Sequence, residues 1–308
     1  MDRMRYRLSL ALLHVLAALP LGTQRVLARI SAWFMWRSNG RLRRVTECNL
    51  AISFPDMPDD ERNELARSSL YEMGLSILEV ARTFLWPVER LDAQVDRVVG
   101  LDLFRNAVAE GTGLVVLFPH LGNWELAGLF LGKYCSPTVM YRPPKTKLFG
   151  DFIRKARERR GSKLVATNTS GVRALIKTLK SGGVIFILPD QVPPVSQGEF
   201  APFFGEETLT MTLATSLMQR TGANALFSYC KRQPDGSYEL VFRAADDDIY
   251  DADRKTALAG LNRSVERCIM GCPEQYQWSY KRYKYLPNLE RRDYGTAREH
   301  HPPIGNLD

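Results

Sequence analysis

The sequence predicts an α/β fold: a mixed, mainly parallel central sheet with helices on both faces, preceded by an amphipathic N-terminal helix. Three observations carry that expectation. Short apolar segments alternate with helix-periodic ones between residues 114 and 271. Two of them, Leu-Val-Val-Leu-Phe at 114–118 and Val-Ile-Phe-Ile-Leu at 184–188, are apolar throughout, as strands covered on both faces are. The first forty residues combine apolar, aromatic and arginine side chains at helical spacing. A chain of 308 residues can form one large or two ordinary domains. Its 45% hydrophobic and 25% charged residues exclude a disordered or fibrous protein.

In chain order, residues 8–22 form an apolar run behind Arg3, Arg5 and Arg7, much as in a secretory signal. Pro20, Gln24 and Arg25 end the run before the ~20 residues that a membrane span needs. Val26, Leu27, Ile30, Trp33, Phe34 and Trp36 then recur near helical spacing, with Arg25 and Arg29 one turn apart on another face. That pattern suits a helix lying among lipid headgroups, with Arg41, Arg43 and Arg44 near anionic lipid on the cytoplasmic side. Residues 1–44 are therefore expected to be a membrane-associated segment, 45–287 the α/β domain and 288–308 a polar tail. A cleaved signal and a buried core helix are the other readings of the start.

Asp59 and Asp60 lead a helical pattern that ends at Pro87. Strands are expected at 114–118, 138–141, 163–166 and 184–188, with helices at 126–133, 148–160 and 172–180 between and after them. A helix over 208–221, a strand pair 225–230 and 238–243 around Pro234-Asp235-Gly236, and a helix over 253–271 complete the pattern.

Charge is unevenly spread over the net +8. Residues 1–50 hold nine arginines against Asp2 and Glu47. Residues 141–163 hold nine cations against Asp151 and Glu158, which points to an anionic partner there or to a solvated outer face. The five cysteines have no metal-binding spacing, and reduced thiols fit them best. Neither a glycine-rich nucleotide loop nor a dinucleotide fingerprint is found, so no cofactor and no metal are expected.

Of four histidines, His14 lies in the apolar start, His300 and His301 in the tail, and His120 alone in the α/β body. It follows strand 114–118 in Phe-Pro-His-Leu-Gly-Asn-Trp-Glu, at the carboxyl edge where α/β proteins place chemistry. Five residues along an ideal helix turn through about 500°, so His120 and Glu125 can meet only across a strand-to-helix turn. Gly122 would allow that turn and Asn123 would cap the helix. Glu125 is then expected to accept from one imidazole nitrogen, leaving the other as a general base. The competing reading is a strand-end histidine with a purely structural role.

His-x4-Glu in this setting resembles the catalytic motif of the lysophospholipid acyltransferase superfamily, and the wider sequence resembles its lipid A late-acyltransferase branch. The resemblance extends through Asn49-Leu-Ala-Ile-Ser-Phe-Pro55, Tyr141-Arg-Pro143, Asp190-Gln191, Phe200-Ala-Pro-Phe-Phe-Gly205 and Pro273-Glu-Gln-Tyr-Gln-Trp278. Two stretches depart from the branch: Tyr280-Lys-Arg282 stands for a histidine-arginine-arginine run, and Pro193-Pro-Val-Ser196 for tyrosine-glycine-proline-arginine.

The resemblance implies transfer of an acyl chain from an acyl-carrier-protein or acyl-coenzyme A thioester to a lipid hydroxyl at the cytoplasmic face of a bacterial inner membrane. Lipid A is the first acceptor it implies; a lysophospholipid, glycolipid or ornithine-type aminolipid is the alternative. His120 and Glu125 would be catalytic. Arg142, Arg157, Arg159, Asp190 and Gln191 would bind substrate, and Gly122 and Asn123 would support the turn and the oxyanion. The basic block at 141–163 would receive the acyl carrier. A rival of another class, a nucleic-acid or membrane-binding module stacking bases on the Tyr280–Tyr285 run, leaves His120 and Glu125 unexplained. Nucleic acid is therefore not an expected partner.

Overall fold

Alternate residues of the central strands enter two separate cores, one on each face of a seven-stranded sheet. The structure is a computed structural model that describes residues 2–144 and 146–295, without the side chains of Asp2, Arg3 and Arg5. Lys145, His300, His301 and the rest of the tail beyond 295 lie outside the described residues.

The sheet runs β1 (Val95–Val99), β9 (Tyr238–Ala244), β8 (Asn224–Arg232), β2 (Leu114–Leu117), β5 (Val184–Ile187), β3 (Thr138–Tyr141) and β4 (Lys163–Ala166). The last five are mutually parallel, β9 is antiparallel to β8, and β1 runs parallel to β9. This is the mixed, mainly parallel sheet that the apolar segments predict.

Val115, Leu117, Ile185, Ile187, Ala225 and Phe227 join one core. They pack there with α9 (Thr169–Lys180), α10 (Leu213–Thr221) and α11 (Arg254–Ile269). Leu114, Val116, Val184, Phe186 and Leu226 join the other, beneath α6 (Leu101–Ala109) and α7 (Trp124–Leu131). Each fully buried aliphatic side chain contributes about 1.5–3 kcal/mol, so both faces must be covered. β3 and β4 are joined through α8 (Lys147–Glu158), and a short α5 (Val88–Asp92) precedes β1.

Four helices precede the sheet: α1 (Asp2–Ala18), α2 (Leu21–Arg37), α3 (Arg41–Ser53) and α4 (Asp59–Leu85), the last over the span that the sequence pattern predicts. The first three pack against α4. At Gly74 α4 approaches α2 closely, since a Cβ there would lie 2.9 Å from Ser31 Oγ and 3.4 Å from the Ala28 Cβ. No single helix in the described residues is long and apolar enough to cross a membrane; α1 from Tyr6 and α2 together would be, but they bend by 115° at the break before Leu21. Met4, Leu8, Leu12 and Val15 on α1, and Val26, Ile30, Trp33 and Phe34 on α2, stay exposed.

The helix expected from 208 starts at Leu213 instead. Thr208 and Thr210 alternate within β7 (Glu206–Met211), which pairs antiparallel with β6 (Gly198–Phe203). Phe204 and Gly205 both take positive φ, the two-residue turn whose twist matches a hairpin. β1 and α6 escape the sequence pattern as well, because β1 is an edge strand with only Val95, Val98 and Val99 apolar.

Candidate active site

β2 and β5 are parallel neighbours with Leu117 opposite Ile187. Three residues further along each chain, His120 and Asp190 leave the sheet side by side. The His120 backbone N–H donates to Asp190 Oδ2 at 2.9 Å, and its Nδ1 lies 2.7 Å from Oδ1. Asp190 is 2% exposed and His120 13%, so the carboxylate sits behind the ring and the ring faces outward. Burial pushes the Asp190 carboxyl up, but the imidazole, the two bonds from His120 and the charge of Arg282 outweigh it and hold it below the ordinary range. An acceptor at Nδ1 places the neutral ring's proton there and leaves Nε2 as the acceptor. The Gln191 side-chain amide stands 3.1 Å from Nε2, and the Trp124 ring meets the imidazole edge-on at 5.1 Å.

The partner of His120 is thus Asp190, not Glu125 as the His-x4-Glu spacing suggests. Glu125 belongs to the first turn of α7, and its side chain reaches α8, where Arg157 grips it through Nε (2.9 Å) and Nη2. Burial pulls the Arg157 guanidinium down, yet the Glu125 hydrogen bonds and charge leave it raised. Arg157 lines the same pocket as His120.

Gly122 and Asn123 make the turn as expected. Gly122 has φ +61°, and a Cβ there would fall 2.0 Å from the Cys230 carbonyl oxygen, so only glycine fits. Asn123 Oδ1 accepts from the Leu126 N–H at 3.0 Å and caps α7. The Gly122 N–H is not free for an oxyanion, because it donates to the Gln275 carbonyl at 3.1 Å.

The substrate-binding candidates divide. Asp190, Gln191 and Arg157 gather at the site. Arg159 does not: Nη1 and Nη2 donate at 2.6 Å to the carbonyls of Trp86 and Thr83, which fastens α8 to the end of α4. Arg142 is exposed on the loop after β3.

Sequence reasoning misses what closes the site. Residues 273–280 dock along the His120 turn, with Gln277 N–H donating to the His120 carbonyl at 3.1 Å. Asn49 of α3 holds that segment through bonds to the carbonyls of Trp278 (2.7 Å) and Tyr280 (2.6 Å). The Asn49 and Pro273–Trp278 motifs, more than 220 residues apart in the sequence, therefore meet. Arg282 and Tyr283 are buried, so the aromatic-basic run at 280–285 presents no continuous stacking surface.

From His120 an apolar pocket of about 220 Å³ runs between α7 and the sheet, lined by Phe118, Leu129, Val139, Met140, Phe186 and Leu188. Gly128 of α7 also lines it, and nothing lies within 4 Å of where its Cβ would be. A mid-helix glycine costs about 1 kcal/mol against alanine. Its effect here is to keep the pocket open.

All five cysteines are free, and burial pushes the thiols of Cys135, Cys268 and Cys272 up to about 12. None is an activated nucleophile. The described residues hold no group of three or more His, Cys, Asp or Glu suited to a metal ion.

Residues 2–285 match the family model of the bacterial lipid A biosynthesis acyltransferases. The chain is 29% identical over 249 residues to the lipid A biosynthesis palmitoleoyltransferase of Escherichia coli K12, and 28% identical to the lauroyltransferase of that strain. Each match covers 80% of both chains. The myristoyltransferase of the same strain is 26% identical over 267 residues, 84% of this chain and 80% of its own.

Proposed function

The chain belongs to the bacterial lipid A biosynthesis acyltransferase family and is an acyltransferase, and from that premise we propose that it carries an acyl chain from a carrier thioester to a hydroxyl of lipid A, with His120 as general base. The observation that carries this reading is the 2.7 Å contact between His120 Nδ1 and Asp190, which makes Nε2, facing the Gln191 amide at the pocket, the ring's proton acceptor. The acceptor hydroxyl gives its proton to Nε2 as its oxygen attacks the thioester carbonyl. Asp190 keeps the ring's tautomer and offsets the imidazolium charge. With the Gly122 N–H occupied, the tetrahedral oxyanion draws on the Arg157 guanidinium, which lines the same pocket, and such a donor can supply ~3–4 kcal/mol. Collapse breaks the carbon–sulfur bond, the thiolate takes the proton from Nε2, and the products are an ester and a free carrier thiol. No covalent enzyme intermediate is required.

The pocket beside Gly128 receives the acyl tail. Relatives of similar identity are named for three different chains, so pocket depth and not family membership sets the length. Of the basic block at 141–163, Arg154, Arg157, Arg159 and Arg160 are tied to protein partners. Arg142, Lys147 and Lys155 remain exposed and form the surface on which an acidic acyl carrier docks. The apolar faces of α1 and α2 rest in the cytoplasmic leaflet of the inner membrane.

The test is transfer by the purified full-length protein from acyl-carrier-protein and acyl-coenzyme A donors to a lipid A precursor, read by mass spectrometry. One added secondary acyl chain is expected. Acylation of a lysophospholipid or aminolipid, with the lipid A precursor untouched, would overturn the acceptor. In the same assay Gly128→Leu should shift preference to donors shorter by several carbons while sparing turnover of the shortest; an unchanged profile would place the tail elsewhere.

A further inference from the structure

A second cavity, of about 570 Å³, lies at the elbow between α1 and α2, against the end of α4. His14, Arg82, Trp86 and Arg90 line it, and among the described residues no aspartate or glutamate does. Arg82 is 9% exposed. Its Nη2 donates to the Leu19 carbonyl, while its Nε is buried with no hydrogen-bond partner. The Trp86 ring has the Arg82 guanidinium at 4.8 Å from its centroid and the Arg90 guanidinium at 3.5 Å.

A buried guanidinium without a carboxylate is costly. Arg282, the other one so placed among the described residues, is met by three neutral acceptors, the Leu209 carbonyl, Thr210 Oγ1 and Asn262 Oδ1, where Arg82 has one. Arg157 has Glu125, and Arg232 has both Glu79 and Glu72. Glu79, the acid whose charge Arg82 feels, is already held by two 2.6 Å bonds from Arg232. Among the described residues no acid pairs with Arg82, and an anion from outside the chain would supply the charge.

We propose that this cavity binds the phosphate group of a membrane lipid. Two guanidiniums and an imidazole around one opening match a phosphate's several acceptor oxygens, which carboxylate-free arginine clusters favour. A lipid is the fitting source because the helices that form the elbow expose apolar stripes, Leu8, Leu12 and Val15 on one and Ile30, Trp33 and Phe34 on the other. Acyl chains can lie along those stripes while the headgroup turns inward. The site is separate from the His120 pocket and does not depend on which reaction that pocket performs.

The test is thermal unfolding of the full-length protein in neutral detergent with dihexanoyl phosphatidic acid, dihexanoyl phosphatidylcholine or inorganic phosphate. Phosphatidic acid in large excess should raise the melting temperature by several degrees, and the other two should not at equal concentration. Arg82→Met and Arg90→Glu should each abolish the shift. Arg90 is exposed, so the second variant remains informative if the first does not fold. An equal shift in wild type and Arg90→Glu would overturn the site, and an equal shift with inorganic phosphate would overturn the lipid as its source. The readout is binding, so it stands whether or not acyl transfer to lipid A is observed.

Discussion

The carboxyl edge of β2 and β5 and the junction of β8 with α4 flank the same Gly122 turn, and both bury charge. At the junction the hydrogen bonding is complete. Arg232 donates from Nε and Nη2 to both oxygens of Glu79 at 2.6 Å, from Nη1 to Glu72, and from Nη2 to Ser76 at 3.2 Å. The Gln275 side chain takes up its backbone N–H and carbonyl. At the edge, one side of the imidazole is fastened to a buried carboxylate and the other faces a pocket. A charge whose every donor is matched locks two elements together. One backed by a carboxylate on one side and bordering a pocket on the other can exchange a proton without unfolding anything.

Substitutions that separate locking from chemistry sharpen this contrast. The largest effect is expected from His120→Asn, which keeps a donor toward Asp190 but removes the base. It should lower kcat by about 10²–10⁴-fold with little change in melting temperature. Near-normal turnover in the purified variant would end the assignment of His120.

Arg232→Met should do the reverse. Stranding Glu79 and Glu72 is expected to cost about 3–5 kcal/mol of stability, measured by thermal unfolding, while kcat per folded molecule changes only a few-fold. A large loss of kcat without a stability change would erase the distinction between the regions.

Asp190→Asn should fall between them, with kcat down roughly 10–10²-fold, a smaller step than losing the base itself. It also carries a pH signature. The folded carboxyl titrates below its unfolded value of about 3.9, so its stabilisation is present above roughly pH 4 and lost as pH falls through the folded value. In Asp190→Asn the decline of stability below about pH 4 should flatten. An unaltered acid profile would mean that Asp190 is not the group holding the charge.

Much of the molecule was legible because it rests on local rules. The parallel core strands announce themselves as apolar runs, Gly122 as a turn, and Asn123 as a cap three residues ahead of the N–H it accepts. The 198–211 hairpin was not, because Thr208 to Met211 reads equally as the start of a helix until pairing with β6 settles it. Arg159 looked like a site residue because a basic run does not reveal which of its members end against backbone carbonyls.

By itself, then, the sequence determined the sheet class, the position of His120 at a strand's carboxyl end and the apolar-basic character of the amino terminus. Each depends on side-chain periodicity or turn chemistry within a few residues. Only the tertiary structure decided that His120 pairs with Asp190, seventy positions away, that Glu125 turns to Arg157, and that Arg82 is buried without an acid. Those outcomes follow from strand order, from the β2–β5 register and from which helix ends are pressed together. Such long-range choices minimise the free energy of the whole packed chain, and no short window of residues contains them.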